Sequence, residues 1–328
     1  MNAKEALVVG AGPSGLVAAI SLAREGLKVQ VWEKEKQIGG YPHWHPSAHD
    51  TQVGKQLFSY IGIDLSECFQ EISQDLKHVI NGTLIEVRVS KKNPPYVCER
   101  GSRPTSLDSV LFRIAEAEGV KFTFERKFTP EDLGRVPETT ILATGLSPEM
   151  YDFLQIPYSI YAGYFGQQEI EKKTAGASLF IVGFSNEYGY SSWINGFYYV
   201  LLFSRKEISP ENLGEFKQLV EKHDGVKFDQ WKRFMGYTPK TCNLFHRGRV
   251  ILTGTLAGVV EPVLGYGITG ALLSGKISAL TALDREKGKA EFARFTRGIA
   301  AAIAKKKEPG YVPIPPRMGE VWFQFPEE

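Results

Sequence analysis

Residues 6–40, ALVVGAGPSGLVAAISLAREGLKVQVWEKEKQIGG, read as strand, tight turn, helix and second strand. Leu7, Val8 and Val9 form the short apolar run of a strand buried on both faces. Gly10, Gly12 and Gly15 follow in G-x-G-x-x-G spacing. In that spacing the first glycine allows the turn, the second lets backbone approach a pyrophosphate, and the third lets helix pack on strand. Pro13 suits the first helical turn, where its missing N–H is not needed. The free amides and dipole at that helix start attract a phosphate. The second strand, 28–32, ends at Glu33, about 20 residues past the glycines, where an acid meets a ribose hydroxyl. An acid there favours an unphosphorylated ribose, so FAD or NAD over NADP. A glycine-rich turn without a ligand is the competing reading.

The bulk numbers set the outer limits. A chain of 328 residues holds a large core and predicts two domains. Its 23% charged and 43% hydrophobic residues are those of an ordinary soluble protein. A net charge of +2 gives no argument for a nucleic-acid partner. Cys68, Cys98 and Cys242 lie too far apart for a dithiol or a thiolate zinc centre, and they fit a reducing cytoplasm. The first strand begins almost at once, with no signal peptide expected. No apolar run has the length of a membrane span.

After Gly39 and Gly40 come His43, Trp44, His45 and His49 in one polar stretch. Three readings compete there: a metal shared by His43 and His45, plain loop histidines, or side chains lining a flavin, which runs beside this segment in FAD proteins. No cysteine or acid cluster joins the histidines, so no metal is expected. Further on, 51–60 reads as helix, 83–89 as strand, 91–95 as turn and 96–99 as return strand. Ser106, Leu107 and Asp108 open a helix. Residues 120–124 and 139–142 are strands, the second running into Ala143, Thr144 and Gly145.

From 158 to 240 aromatics dominate. Tyr188, Tyr190, Trp193, Phe197, Tyr198, Tyr199 and Phe203 predict antiparallel strands. Strand alternation puts only half of these rings on one face. The rings serve either a packed sheet or an apolar substrate cavity. Later, 250–252 is a buried strand, and Gly265, Gly267 and Gly270 repeat the G-x-G-x-x-G spacing. No acid-bearing strand follows, so a small-residue helix with its N-terminus aimed at a partial negative charge is the expected element. Residues 287–307 make a basic helix, either solvated or resting on a membrane surface.

In this order, the pieces resemble the FAD-dependent geranylgeranyl reductase-like proteins, relatives of the aromatic hydroxylases typified by p-hydroxybenzoate hydroxylase. The likeness covers most of 6–280. It is strongest at 10–40 and 262–275, and it includes the A-T-G at 143–145 and the Gly236–Pro239 spacing. The resemblance implies an α/β fold: a Rossmann-like FAD-binding domain split in sequence (1–80, 97–157 and 241–285) and an antiparallel-sheet substrate domain (81–96 and 158–240). A C-terminal helix and tail take up 286–328.

It further implies that Gly10, Ala11, Gly12, Pro13, Ser14 and Gly15 hold the pyrophosphate and Glu33, with Lys34 beside it, the adenosine ribose. Gly40 and Gly145 would lie along the cofactor, as would Pro262. Gly265, Tyr266, Gly267 and Ile268 would sit against the isoalloxazine. Arg100 matches the family's FAD-side arginine, with Arg103 competing for the role. Gly254 and Thr255 stand where the family has Gly-Asp, and His43 to His45 stand where it has a cysteine-bearing segment.

The implied activity is hydride transfer from reduced flavin to an apolar, isoprenoid-like substrate. His43, Trp44, Tyr188 and Trp193 would bind it, and His45 or Tyr190 would give the proton. NAD(P)H or a carrier protein would donate electrons, and a transient membrane contact is compatible with this. The alternatives are a flavin monooxygenase on the same scaffold and a non-redox protein that holds FAD structurally or not at all.

Overall fold

The computed structural model describes residues 4–39, 47–51, 55–72, 75–85, 87, 94–185, 187–228, 230–242, 245–260 and 265–306. The chain opens with β1 (Glu5–Val9), α1 (Pro13–Arg24), β2 (Lys28–Trp32), β3 (Ser47–Thr51) and α2 (Lys55–Ile61). Short strands β4 (Phe69–Glu71), β5 (Leu76–Ile80), β6 (Thr83–Ile85) and β7 (Tyr96–Arg100) follow. Next come α3 (Leu107–Ala117), β8 (Lys121–Thr123), β9 (Thr140–Leu142) and α4 (Pro148–Phe153). The aromatic region gives β10 (Tyr158–Glu169), β11 (Gly176–Ile181), β12 (Gly189–Ile194), β13 (Phe197–Ser204), α5 (Pro210–Asp224) and β14 (Lys232–Pro239). The rest is β15 (His246–Arg247), β16 (Val250–Leu252), a 3-10 turn (Gly254–Ala257), α6 (Ile268–Leu283) and α7 (Arg285–Lys306).

Three sheets result. The first has the order β15-β16-β9-β1-β2-β8, parallel except for β15. Parallel strands need cover, and α1, lying between α3 and α6, supplies it on one face. The α1 helix is buried almost throughout, because Leu16, Val17, Ala18, Ala19 and Ile20 leave it no polar face to show. This sheet therefore forms only when β9 and β16, distant in sequence, close beside β1.

The second sheet has the order β14-β10-β13-β12-β11-β5-β6 and is antiparallel except where β5 runs parallel to β11. Asn195 and Gly196, both at positive φ, make the tight turn between β12 and β13 that favours such residues. One face packs under α5 through Phe180, Trp193, Tyr198, Phe216 and Val220. The other carries Phe165, Tyr199 and Leu201 against Ile72 and Val97. The third sheet, β3-β7-β4, lies against that second face near β12 and β13. Among the described residues, no helix is long and apolar enough to cross a membrane.

Two expected pairings differ. Residues 96–99 do not return along 83–89: β7 pairs with β3 and β4, while β6 pairs with β5. Leu76–Ile80, placed with the nucleotide-binding part by the sequence reading, hydrogen-bonds into the aromatic sheet. Strands of three to five residues carry too little alternation to announce their partners. Thr51, read as the start of a helix, ends β3 instead, and the helix begins at Lys55.

Candidate active site

The turn from β1 into α1 is built for backbone to come close. Gly10 has φ +103°, and a Cβ there would lie 2.5 Å from Ala143 O. A Cβ on Gly15 would overlap Gly10 O. A Cβ on Gly12, in contrast, would meet nothing within 4 Å. Two of the three glycines are therefore required by packing, and the third faces open space at the start of α1. Glu33, at the end of β2, reaches back to this turn: Oε2 accepts the Ala11 N–H at 2.7 Å and Oε1 the Glu35 N–H at 3.0 Å. The carboxylate braces the loop at the position where the sequence expects a ribose contact. Lys34 Nζ lies 3.7 Å from Glu35 Oε1, on the outer side.

Four segments distant in sequence meet beside that turn. A Cβ on Gly254 would be 2.6 Å from Ser14 Oγ. One on Gly145 would be 3.6 Å from Thr255 Oγ1, and one on Gly267 would be 3.8 Å from Thr255 Cγ2. Gly265 in turn faces the Tyr188 hydroxyl, 3.6 Å from where its Cβ would stand. Ser14, Gly145, Gly254, Thr255, Gly265 and Gly267 thus form one small-residue seam, with Tyr188 at its end. Tyr266 and Ile268 flank Gly267, and α6 starts at Ile268. Tyr151 of α4 donates to Thr255 O at 3.4 Å, and burial raises its phenol above the ordinary range.

The competition between the two arginines resolves into two different environments. Arg100 spends its guanidinium on Asp108, with Nε to Oδ2 at 2.7 Å and Nη2 to Oδ1 at 2.9 Å. Arg103 lies 3.0 Å from Glu99 Oε1 and stacks on Phe197 at 5.3 Å, while its buried Nη1 has no partner. Burial raises the Glu99 carboxyl above its usual value, against the lowering from Thr105 and Arg103. Gly39, the described member of the glycine pair, abuts the Gly101 backbone directly after Arg100. Gly40, His43, Trp44, His45 and Pro262 lie outside the described residues.

The face of the second sheet that ends at Gly265 carries a continuous row of rings. Tyr161 and Phe203 are 5.8 Å apart, Phe203 and Tyr188 4.7 Å, Tyr188 and Tyr190 6.4 Å, Tyr190 and Tyr199 6.2 Å. Trp193 is not on this face, which corrects its expected substrate role. It stacks on Tyr198 at 5.8 Å under α5, with Lys172 Nζ 4.6 Å from its ring. Three residues separate it from Tyr190, and an odd spacing on a strand inverts the face. Tyr161, Phe203 and Arg205, whose Cζ is 5.3 Å from the Tyr161 ring, extend the row beyond the residues expected to bind substrate. Their pairing across β10 and β13 was the missing signal. Among the described residues, no group of three His, Cys, Asp or Glu side chains could hold a metal.

These residues fit a bound dinucleotide. Gly12 leaves clearance where a pyrophosphate would sit at a helix N-terminus. Thr144 Oγ1, in the A-T-G segment beside the loop, is buried without a hydrogen-bond partner, which costs stability unless a ligand supplies one. The fold is of the kind that FAD-dependent oxidoreductases share, as the solved structures below show.

Comparisons with known proteins agree. A family model for the NAD(P)-binding Rossmann-like domain matches residues 8–58. The Arabidopsis thaliana flavin-containing monooxygenase FMO GS-OX4 is 43% identical over 54 residues, which are 16% of this chain and 12% of that protein. The chain therefore shares only a short segment of that relative. A geranylgeranyl bacteriochlorophyll reductase-like structure from Thermoplasma acidophilum superposes with a TM-score of 0.62 at 18% identity, covering 93% of this chain and 83% of that one. CtdE, solved with FAD and a substrate, gives 0.63 at 15% identity over 92% of this chain and 86% of its own.

Proposed function

We propose that the protein is an FAD-dependent oxidoreductase that reduces an apolar substrate, with isoprenoids the first class to try. One observation carries this reading: the glycine turn, Gly145, Gly254–Thr255 and Gly265–Gly267 converge on a seam that ends at an aromatic sheet face. Bound FAD would supply the hydride chemistry, and the protein positions it and excludes water. The amides of the first turn of α1, with the helix dipole, would hold the pyrophosphate. Glu33 would take the ribose in exchange for its bond to Ala11. Thr144 and Thr255 offer hydroxyls along the chain between the rings. Arg103 offers its unpartnered Nη1, and Arg100 keeps the N–H groups that Asp108 does not take.

On the substrate side, Tyr188 places its hydroxyl at the Gly265 loop and Tyr190 continues the apolar wall. Tyr188 is the first residue to test as proton donor, ahead of Tyr190 and His45. Electrons would come from NAD(P)H visiting transiently or from a carrier protein. Cytoplasmic placement and a transient membrane contact through α7 belong to the same proposal.

The test begins with the absorbance spectrum of the purified protein before and after acid precipitation. FAD released into the supernatant supports the reading, and flavin retained in the pellet points to a covalent link at His43 or His45. Colourless protein that takes up no FAD refutes it in favour of a non-redox role. Anaerobic bleaching by NAD(P)H followed by reoxidation with a prenyl substrate, without oxygen uptake, marks a reductase. Substrate-dependent oxygen uptake marks a monooxygenase.

A further inference from the structure

We propose that Ser274 is a positioning residue that seats the Gly254–Thr255 turn in the cofactor seam; the inference rests on the FAD reading above. Ser274 lies in α6 and is 1% exposed. Its Oγ accepts the Gly254 N–H at 2.9 Å and lies 3.1 Å from Thr253 Oγ1, while its own hydroxyl donates to Ala271 O at 3.3 Å. Since that hydroxyl has one proton to give, Thr253 is the donor in the pair they share.

The 3-10 turn at Gly254–Ala257 is thereby capped from outside. Thr253 occupies its N-cap position but makes no side-chain cap bond there. The first amide of the turn is satisfied instead by a helix from another part of the chain. The next residue explains why that helix is the right anchor. A Cβ on Gly275 would lie 2.5 Å from Ser14 O and 3.0 Å from Val17 Cβ, so α6 is already pressed against α1 at this level. Ser274 grips the turn while Gly275 seats on the helix that follows the glycine loop. Gly254, at φ +64° and close over Ser14, is the point where the two meet. On the far side of the turn, Tyr151 holds Thr255 O.

The consequence falls on Thr255. Its side chain is uncharged, so what it offers a ligand is a directional hydrogen bond whose value depends on where Oγ1 is held. Ser274 and Tyr151 fix that position between Gly145 and Gly267.

The experiment compares wild type with Ser274→Ala, Ser274→Cys and Tyr151→Phe by hydrogen exchange of the apoprotein and by titration with FAD. Ser274→Ala should speed exchange in the peptide holding residues 253–257 and weaken FAD binding, each about tenfold. Exchange in α1 and in the second sheet should stay as in wild type. Ser274→Cys, which keeps a weak acceptor, should recover part of both effects. Unchanged exchange at 253–257 overturns the proposal, as does faster exchange with unchanged FAD affinity. Should Ser274→Ala fail to fold, Ser274→Cys and Tyr151→Phe decide by the same two readouts. Wild-type protein that takes up no FAD refutes the cofactor reading itself, before any variant is measured.

Discussion

On the face of the aromatic sheet under α5, the Asp224 side chain is 1% exposed and accepts hydrogen bonds from Ser178 at 2.6 Å, Ser191 at 2.6 Å and Tyr198 at 2.5 Å. Lys77 Nζ adds a cation 3.6 Å away. Beside the opposite face, the Glu99 side chain of β7 is equally buried, with Thr105, Arg103 and Asn195 close by, and desolvation raises its carboxyl against their lowering. The tyrosines divide in the same way: Tyr198 is bonded to Asp224, whereas Tyr188 points at the glycine seam. One face gathers three hydroxyls on a single carboxylate, although the buried indole N–H groups of Trp193 and Trp231 there have no partner; the other carries a row of rings that ends at the glycine seam. Residue type does not tell which face a tyrosine lies on here, but strand parity and the neighbouring layer do.

The largest effect that tests this contrast is Asp224→Ala. It strands three buried hydroxyls, and urea unfolding should show a loss of about 3–5 kcal/mol. An unchanged midpoint would mean that the α5 face is not the structural one.

Next come the paired substitutions Trp193→Phe and Tyr188→Phe. The first should cost about 1–3 kcal/mol and leave the spectrum of bound flavin alone. The second should change stability by less than about 0.5 kcal/mol yet shift that spectrum and lower turnover. Reversed outcomes would exchange the roles of the two faces.

Glu99 gives a pH test. A carboxyl whose folded value is raised binds its proton more tightly in the folded state, so stability falls as pH climbs from the ordinary value through the folded one. Glu99→Gln should flatten that fall in a series of denaturation curves. A steeper fall would show the ionised form to be the stabilised one.

The smallest effect concerns the thiols. All three cysteines are buried, and burial pushes Cys68 up to about 12. An aromatic disulfide reagent at pH 8 should find no fast thiol in the native protein and three after denaturation. A fast native thiol would locate an opening in the layers beside the ring row.

Much of this was legible in the residues. The glycine spacing at Gly10, Gly12 and Gly15, Pro13 and the acid at Glu33 are local signals, and local geometry reproduces them. The helix after Gly267 was legible for the same reason. Trp193 lies on the α5 face because three residues separate it from Tyr190, a parity that motif likeness does not carry. The parallel pairing of β5 with β11, the small third sheet and the grip of Ser274 on Gly254 depend on contacts between distant segments. No window of sequence contains both partners.

Ile251 pairs with Ile141, so the parallel sheet is closed by a strand made long after its neighbour. Everything from β10 to β14 lies in between. During synthesis β1, β2 and β9 must wait with one edge unfilled while the aromatic sheet emerges. High sequence separation of this kind slows folding and keeps a strand edge available to other chains. A chain cut before Val250 would therefore be expected to aggregate rather than to yield a smaller nucleotide-binding protein.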